Sequence, residues 1–228
     1  AVVGLVILIV VLILAAAAPL IYPGDPFRLV GRPMSPPFGE QFLFGSDTLG
    51  RDIAAGMAHG ARTSLLIGVV ATLVAVGIGT LMGGVAGYFG GWVDDVLMRI
   101  TEVFQTIPSF VFAILLVAVL TPSIVNIIIA ISVVSWPALA RLVRGEFLSM
   151  RNREFVQANV VMGMSDSKII LTQVLPNCLS PIIVAGSLLV ATAILIESGL
   201  SFLGLGFPSD FPTWGKLLFD ATDFLQQH

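Results

Sequence analysis

Charge is what this sequence has least of. Only 11% of its 228 residues are Asp, Glu, Lys or Arg, against roughly 25% in a soluble domain, so a globule of this length would lack a polar coat. The charges nearly balance, at a formal −3 and a sequence pI near 5.2, which denies it the basic stripe of a nucleic-acid binder. One cysteine, Cys178, excludes an internal disulfide framework and a thiolate metal cluster. Histidine is equally scarce: His59, with Met57 nearby, falls short of a metal-ligand set, and His228 is the terminal residue. Neither HExxH nor GxSxG occurs, so no metalloprotease or serine-hydrolase site is supported and no catalytic residue is assigned. The phosphate loop GxxxxGK[ST] is missing too, and Gly77-x-Gly79 followed by Gly83 has the wrong spacing for a dinucleotide fingerprint. The chain therefore holds no cofactor and no energy source of its own; coupling must come from an ion gradient or a partner. What it does have is hydrophobicity, 57% apolar residues and a mean hydropathy of +1.01. That is far too high for disorder. A helical membrane protein remains.

A membrane span needs about 20 mostly apolar residues to cross roughly 30 Å of hydrocarbon. Five runs qualify: residues 1–21 and about 63–89, both uncharged; about 103–120; 124–139, ending at Arg141 and Arg144; and about 182–196, with a weaker tail to Phe207. None alternates as a β-barrel strand would, which predicts an all-α, polytopic membrane helical bundle. Ala15 to Ala18 offers the small residues of a signal-peptide cleavage site. However, residue 1 is not Met, no basic stretch leads the run, and four more runs follow. The run is read as a true first span rather than a signal, and the chain is expected to begin inside a longer protein.

The loops then alternate sides. One side carries 22–62, the turn Thr121-Pro122-Ser123 and the segment after Glu197, with Arg28, Arg32, Arg51, Arg62 and Lys216. The other carries 90–102 and 141–180, with Arg99, Arg141, Arg144, Arg151, Arg153 and Lys168. The clustering between 141 and 168 leans toward a cytoplasmic 141–180 loop, but the two totals are too close for charge alone to fix orientation. Residues 22–44 are rich in Pro and Gly and read as an irregular excursion. Residues 141–176 read as helix to Met162, a stop at Gly163, and a second short helix begun by Ser165 or Asp166 and ended before Pro176.

Small residues recur at every fourth position of the second run: Ala71, Ala75, Gly79, Gly83, Gly87 and Gly91. On a helix they make one groove into which a neighbour can press. General bundle packing is the leading reading, and a seam that slides during transport the sharper one. Asp94, Asp95, Arg99 and Glu102 have the spacing of a helical ion-pair cluster at the membrane boundary. Glu197 ends an apolar stretch just before Ser198-Gly199. With no second acidic or histidine relay in sight, its burial against a partner is favoured over proton carriage.

Within 141–181, Arg153-Glu154-Phe155-Val156-Gln157-Ala158-Asn159, then Gly163, Ile169-Ile170 and Leu175-Pro176-Asn177, resembles the EAA loop of ABC-importer permeases. Gly45-Ser46-Asp47-Thr48-Leu49-Gly50-Arg51-Asp52 resembles the GTDxxGRD segment of the dipeptide/oligopeptide/nickel permease family. Gly87-Tyr88-Phe89-Gly90-Gly91-Trp92-Val93-Asp94 is similar to that family's segment after its second span. Ser201-Phe202-Leu203-Gly204-Leu205-Gly206, then Pro212-Thr213-Trp214-Gly215, is similar to its outer segment after the fifth. These matches span nearly the whole chain in the family's order. Two departures stand out. Where the family loop typically reads Glu-Ala-Ala, this chain has Gln157-Ala158-Asn159, so the acidic group is missing. Such permeases usually have six spans; the expectation here is that the final helix is missing from this sequence after His228, with a five-span variant as the alternative.

The resemblance implies a multi-pass protein of the bacterial cytoplasmic (inner) membrane, with 141–180 cytoplasmic and 22–62 outside. It implies alternating access in an importer of two permease subunits, two ATP-binding subunits and an external solute-binding protein. This chain would be one of a heterodimeric permease pair, with ATP and Mg in the partner subunits. The expected layout is a first span at 1–21, an external loop with a short amphipathic helix at 22–62, and a permease core at 63–228 that includes the external segment 197–228. In the loop, Phe155, Ala158 and Met162 share a helical face, and Gly163 suits a left-handed turn. With Glu154, Gln157 and Asp166 they form the expected coupling surface for the ATPase; packing of the loop on its own bundle is the lesser alternative. Outside, Asp47 or Thr48 can cap a helix running through Ile53 and ending near Gly60. Gly45, Asp47, Gly50, Arg51 and Asp52 form the expected docking segment, with a purely local cap as an even alternative. Peptides rank first as solute because they are the commonest family substrate. An ion-coupled secondary transporter or channel subunit is the competing class, and would call for intramembrane ion ligands or a broken helix pair.

Overall fold

The computed structural model describes residues 2–39, 41–205 and 211–225, with side chains as far as residue 222. Among them every regular element is helical, and the one strand-like exchange is an isolated bridge between Ser46 and Asp52. Four helices are long and apolar enough to cross a membrane, or five if one bent pair counts as a span. Gly206, the tail at Phe207 and His228 lie outside the described residues.

α1 (Val2–Ile21) buries only Ala15 and Ala18; its large aliphatic side chains are exposed, as a surface solvated by lipid allows. The excursion that follows is tied by turns, with Asp25 accepting the Phe27 N–H at 2.9 Å. α2 (Ile53–Phe89) is a single helix of 37 residues, about 55 Å long at 1.5 Å per residue. The predicted short amphipathic helix ending at Gly60 is therefore its first turns, and Gly60 does not stop it. That glycine instead admits a close neighbour: a Cβ there would stand 3.3 Å from the backbone of Thr213. Nor do Asp47 or Thr48 cap the helix. Asp52 does, accepting the Ala54 N–H at 2.8 Å.

The predicted span at 103–120 is broken. α3 (Gly91–Gln105) and α4 (Ser109–Val119) meet at a 79° bend. Pro108 supplies no N–H and disfavours helical geometry at Ile107. α5 (Ile124–Arg151) starts on Ser123, whose Oγ accepts the Asn126 N–H at 3.1 Å, and runs well past the apolar stretch. It ends at Arg151, dividing what the sequence presents as one helix to Met162. α6 (Glu154–Val161) and α7 (Asp166–Ile169) follow. Pro176 then fails to end the helix. A π-helical turn at Ile170–Val174 leads directly into α8 (Leu175–Phe202), and its wider spacing accommodates a residue that cannot donate. α9 (Trp214–Leu225) closes the described chain.

These elements form two compact units. The first gathers 1–68, 117–127 and 194–228; the second, 69–116 and 128–193. In the second, Leu139, Val143 and Phe147 of α5 meet Val156, Ile169, Val174, Cys178 and Ile182 in a hydrophobic core.

Candidate functional site

The loop between α5 and α8 is anchored by one face and open on the other. Val156 is 1% exposed and Ile169 fully buried in the core of the second unit. Phe155 and Ala158 point outward, and Met162, the residue capping α6, is 73% exposed. Gly163 has φ +74°. Its N–H donates to the Val160 carbonyl at 2.9 Å and that of Met164 to Asn159 at 3.0 Å, the paired bonds that end a helix on a left-handed glycine. Ser165 occupies the N-cap position of α7 without a side-chain cap bond. Asp166, the first helical residue, accepts the Tyr88 hydroxyl at 2.9 Å. Glu154 is exposed. Gln157 donates Nε2–H to the Arg151 carbonyl at 2.9 Å.

The small-residue groove faces α5. A Cβ on Gly83 would fall onto the Ala140 carbonyl, one on Gly87 would sit 2.6 Å from the Arg144 carbonyl, and one on Gly79 would be 3.0 Å from Trp136 and Leu139. Ala71 and Ala75 are buried, with the Ala71 carbonyl accepting the Ser132 hydroxyl at 3.1 Å. Gly91 does not belong to this row. The helix breaks at Gly90, so Gly91 begins α3 and nothing lies within 4 Å of its Cβ position. Beside the groove, Arg144 makes a two-pronged ion pair with Asp94, its Nη2–H reaching Oδ2 at 2.6 Å. Asp94 thus leaves the expected helical cluster, of which Arg99–Glu102 forms at 3.4 Å.

The segment from Gly45 to Asp52 is a turn bonded back to residues 30–35. Gly45 and Gly50 have φ of +84° and +83°. Asp47 accepts N–H bonds from Leu49 at 2.9 Å and Arg51 at 2.8 Å, which makes it a turn former. Ser46 donates to the Arg32 carbonyl at 2.6 Å and accepts the Ser35 N–H at 2.9 Å. Arg51 lies over the Phe27 ring at 5.1 Å and Asp52 starts α2. The segment borders a groove of about 720 Å³ that Phe27, Met57, Trp214 and Leu217 also line.

One buried cluster escapes sequence reasoning. Glu197 is fully buried within this chain rather than against a partner. Its carboxylate accepts the Ser64 hydroxyl at 2.9 Å and the Ser201 hydroxyl at 2.8 Å, and Ser64 Oγ accepts the Trp214 N–H at 3.3 Å. Ser201 was legible from its i, i+4 spacing. Ser64, 133 positions away, carried no signal.

Residues 75–222 match the family described as binding-protein-dependent transport system inner membrane component. Over 99% of its length the chain is 40% identical to the dipeptide transport system permease protein DppC of Alkalihalophilus pseudofirmus, covering 74% of that protein. It is 41% identical to the oligopeptide transport system permease protein OppC of Haemophilus influenzae, over 97% of this chain and 72% of the relative. It is also 40% identical to OppC of Escherichia coli strain K12, over 99% and 76%.

Proposed function

This chain belongs to the family of binding-protein-dependent transport system inner membrane components, and on that premise we propose that it imports di- or oligopeptides by alternating access coupled to ATP hydrolysis in partner subunits. As a member of that family it is a multi-pass transport component of the inner membrane rather than an enzyme. The observation that carries the coupling is the two-faced loop. Val156 and Ile169 root it in the core while Phe155, Ala158 and Met162 remain open, and an exposed apolar face of this kind marks an interface. The partner seated there is an ATP-binding subunit, of which the complex holds two, with ATP and Mg bound by them. A second homologous permease subunit completes the pore, and an external solute-binding protein docks on the side bearing Gly45 to Asp52. The relatives named for dipeptide and oligopeptide transport support the solute class.

Uptake of a labelled dipeptide into proteoliposomes holding the assembled complex and its binding protein tests this. The expected result is accumulation that needs enclosed ATP and stops when the ATP-binding subunits are omitted. Accumulation that tracks an imposed proton or sodium gradient without ATP would replace this reading with an ion-coupled one.

A further inference from the structure

Three helix ends meet at one tyrosine. Tyr88 is the penultimate residue of α2, and its carbonyl accepts Nη1–H from Arg151, the last residue of α5, at 3.0 Å. Its hydroxyl donates to Oδ1 of Asp166, the first residue of α7, at 2.9 Å. Gln157 of α6 closes the circuit by donating to the Arg151 carbonyl at 2.9 Å. The approach is tight: Gly90, at φ +67°, places a would-be Cβ 2.6 Å from the Arg151 guanidinium, so a side chain there would displace that cation. The Tyr88 ring also packs on the core cluster that holds Val156 and Ile169. Both short helices of the loop are thereby tied by polar side chains to the ends of α5 and α2. Beside Tyr88 on α2 stands Gly87, the last glycine of the groove, pressed against α5.

We propose that Tyr88 is a positioning residue that latches α7 to the end of α2 through Asp166, so that displacement of the cytoplasmic loop moves the small-residue helix with it. The proposal rests on the loop being the ATPase contact. A hydrogen bond between a phenol and a carboxylate is charge-assisted and directional, and among the described residues it is the one side-chain bond that joins α7 to α2. Removing the hydroxyl leaves the ring and its packing in place, so assembly is kept while the tie is lost.

The test is the ratio of binding-protein-stimulated to unstimulated ATP hydrolysis in the complete reconstituted complex, using binding protein loaded with a dipeptide. A purely structural role would lower both rates together and leave the ratio alone. Tyr88→Phe and Asp166→Ala should each lower the ratio about fivefold, an effect of the size one exposed charged hydrogen bond supports. The double variant should fall no further, since both changes remove the same bond, and Asp166→Asn, which keeps an acceptor oxygen, should restore most of the ratio. A normal ratio in Tyr88→Phe, or a double variant at the product of the two singles, would overturn the latch. Gly163→Val separates the two layers. If it lowers the ratio while Tyr88→Phe does not, the loop still couples and the latch is wrong. If it leaves the ratio unchanged with the ATP-binding subunits attached, the loop assignment fails and the latch with it.

Discussion

Glu197 is the residue on which the largest single-site effect is expected. The hydroxyls of Ser64 and Ser201, with that of Ser198 farther off at 3.5 Å, direct their protons at its carboxylate in a site closed to solvent. Glu197→Ala removes both acceptors and leaves a void, a loss of about 3 kcal/mol from orphaned polar groups and unfilled volume. Glu197→Gln keeps one acceptor oxygen, costing about 1 kcal/mol. Thermal unfolding of the solubilised complex should rank wild type, then Glu197→Gln, then Glu197→Ala. Equal midpoints for all three would show that the cluster contributes no stability. Composition made Glu197 conspicuous, because a carboxylate ending an apolar run needs a reason. Where its partners sit was hidden, because Ser64 and Trp214 are ordinary in their own neighbourhoods and meet it only after folding. Asp94 shows the same limit: sequence proximity places it in a local cluster with Asp95, Arg99 and Glu102, whereas the folded chain gives it Arg144, 50 positions on.

At the scale of the element, the four-residue repeat in α2 predicts its own mutational pattern. Gly83 has the Ala140 carbonyl where a side chain would go, whereas Gly77 has nothing within 4 Å. Gly83→Val should therefore force α2 off α5 and cost at least 1–3 kcal/mol, or about what overpacking a tight core costs. Gly77→Ala should be neutral or stabilise by about 0.5–1 kcal/mol through helix propensity. Unfolding midpoints that shift together would refute the assignment of the groove to α5. This groove was legible because helical period and residue size together define a surface. The ends and breaks of helices were less so. Apolar runs located the spans, but a run says nothing about where helix continues into water, so α2 and α5 outlast their hydrophobic stretches. Pro108 does break its span, whereas Pro176 does not break its own, because the preceding π-turn already shifts the hydrogen-bond register. A sequence shows the proline but not the register it meets.

On the scale of the whole molecule, low charge and long apolar runs lead directly to a membrane protein, and family membership makes it a transport component. The step from there to mechanism lies in the loop at 154–166, whose inner residues belong to the core and whose outer residues Phe155, Ala158 and Met162 are exposed. Its glycine stop, its apolar stripe and the acidic start of α7 were all readable from sequence, as each depends on neighbours within one turn. Its anchoring through Tyr88, Arg151 and Gln157 depends on helix ends brought together from three parts of the chain. Single cysteines placed along the loop test the coupling claim most directly, with the buried native Cys178 as background. In the assembled complex, Ala158→Cys and Met162→Cys should each form a short-linker crosslink to an ATP-binding subunit, while Val156→Cys, set in the core, should form none. Absence of any such crosslink from 158 and 162, in a complex that still hydrolyses ATP, would contradict the account.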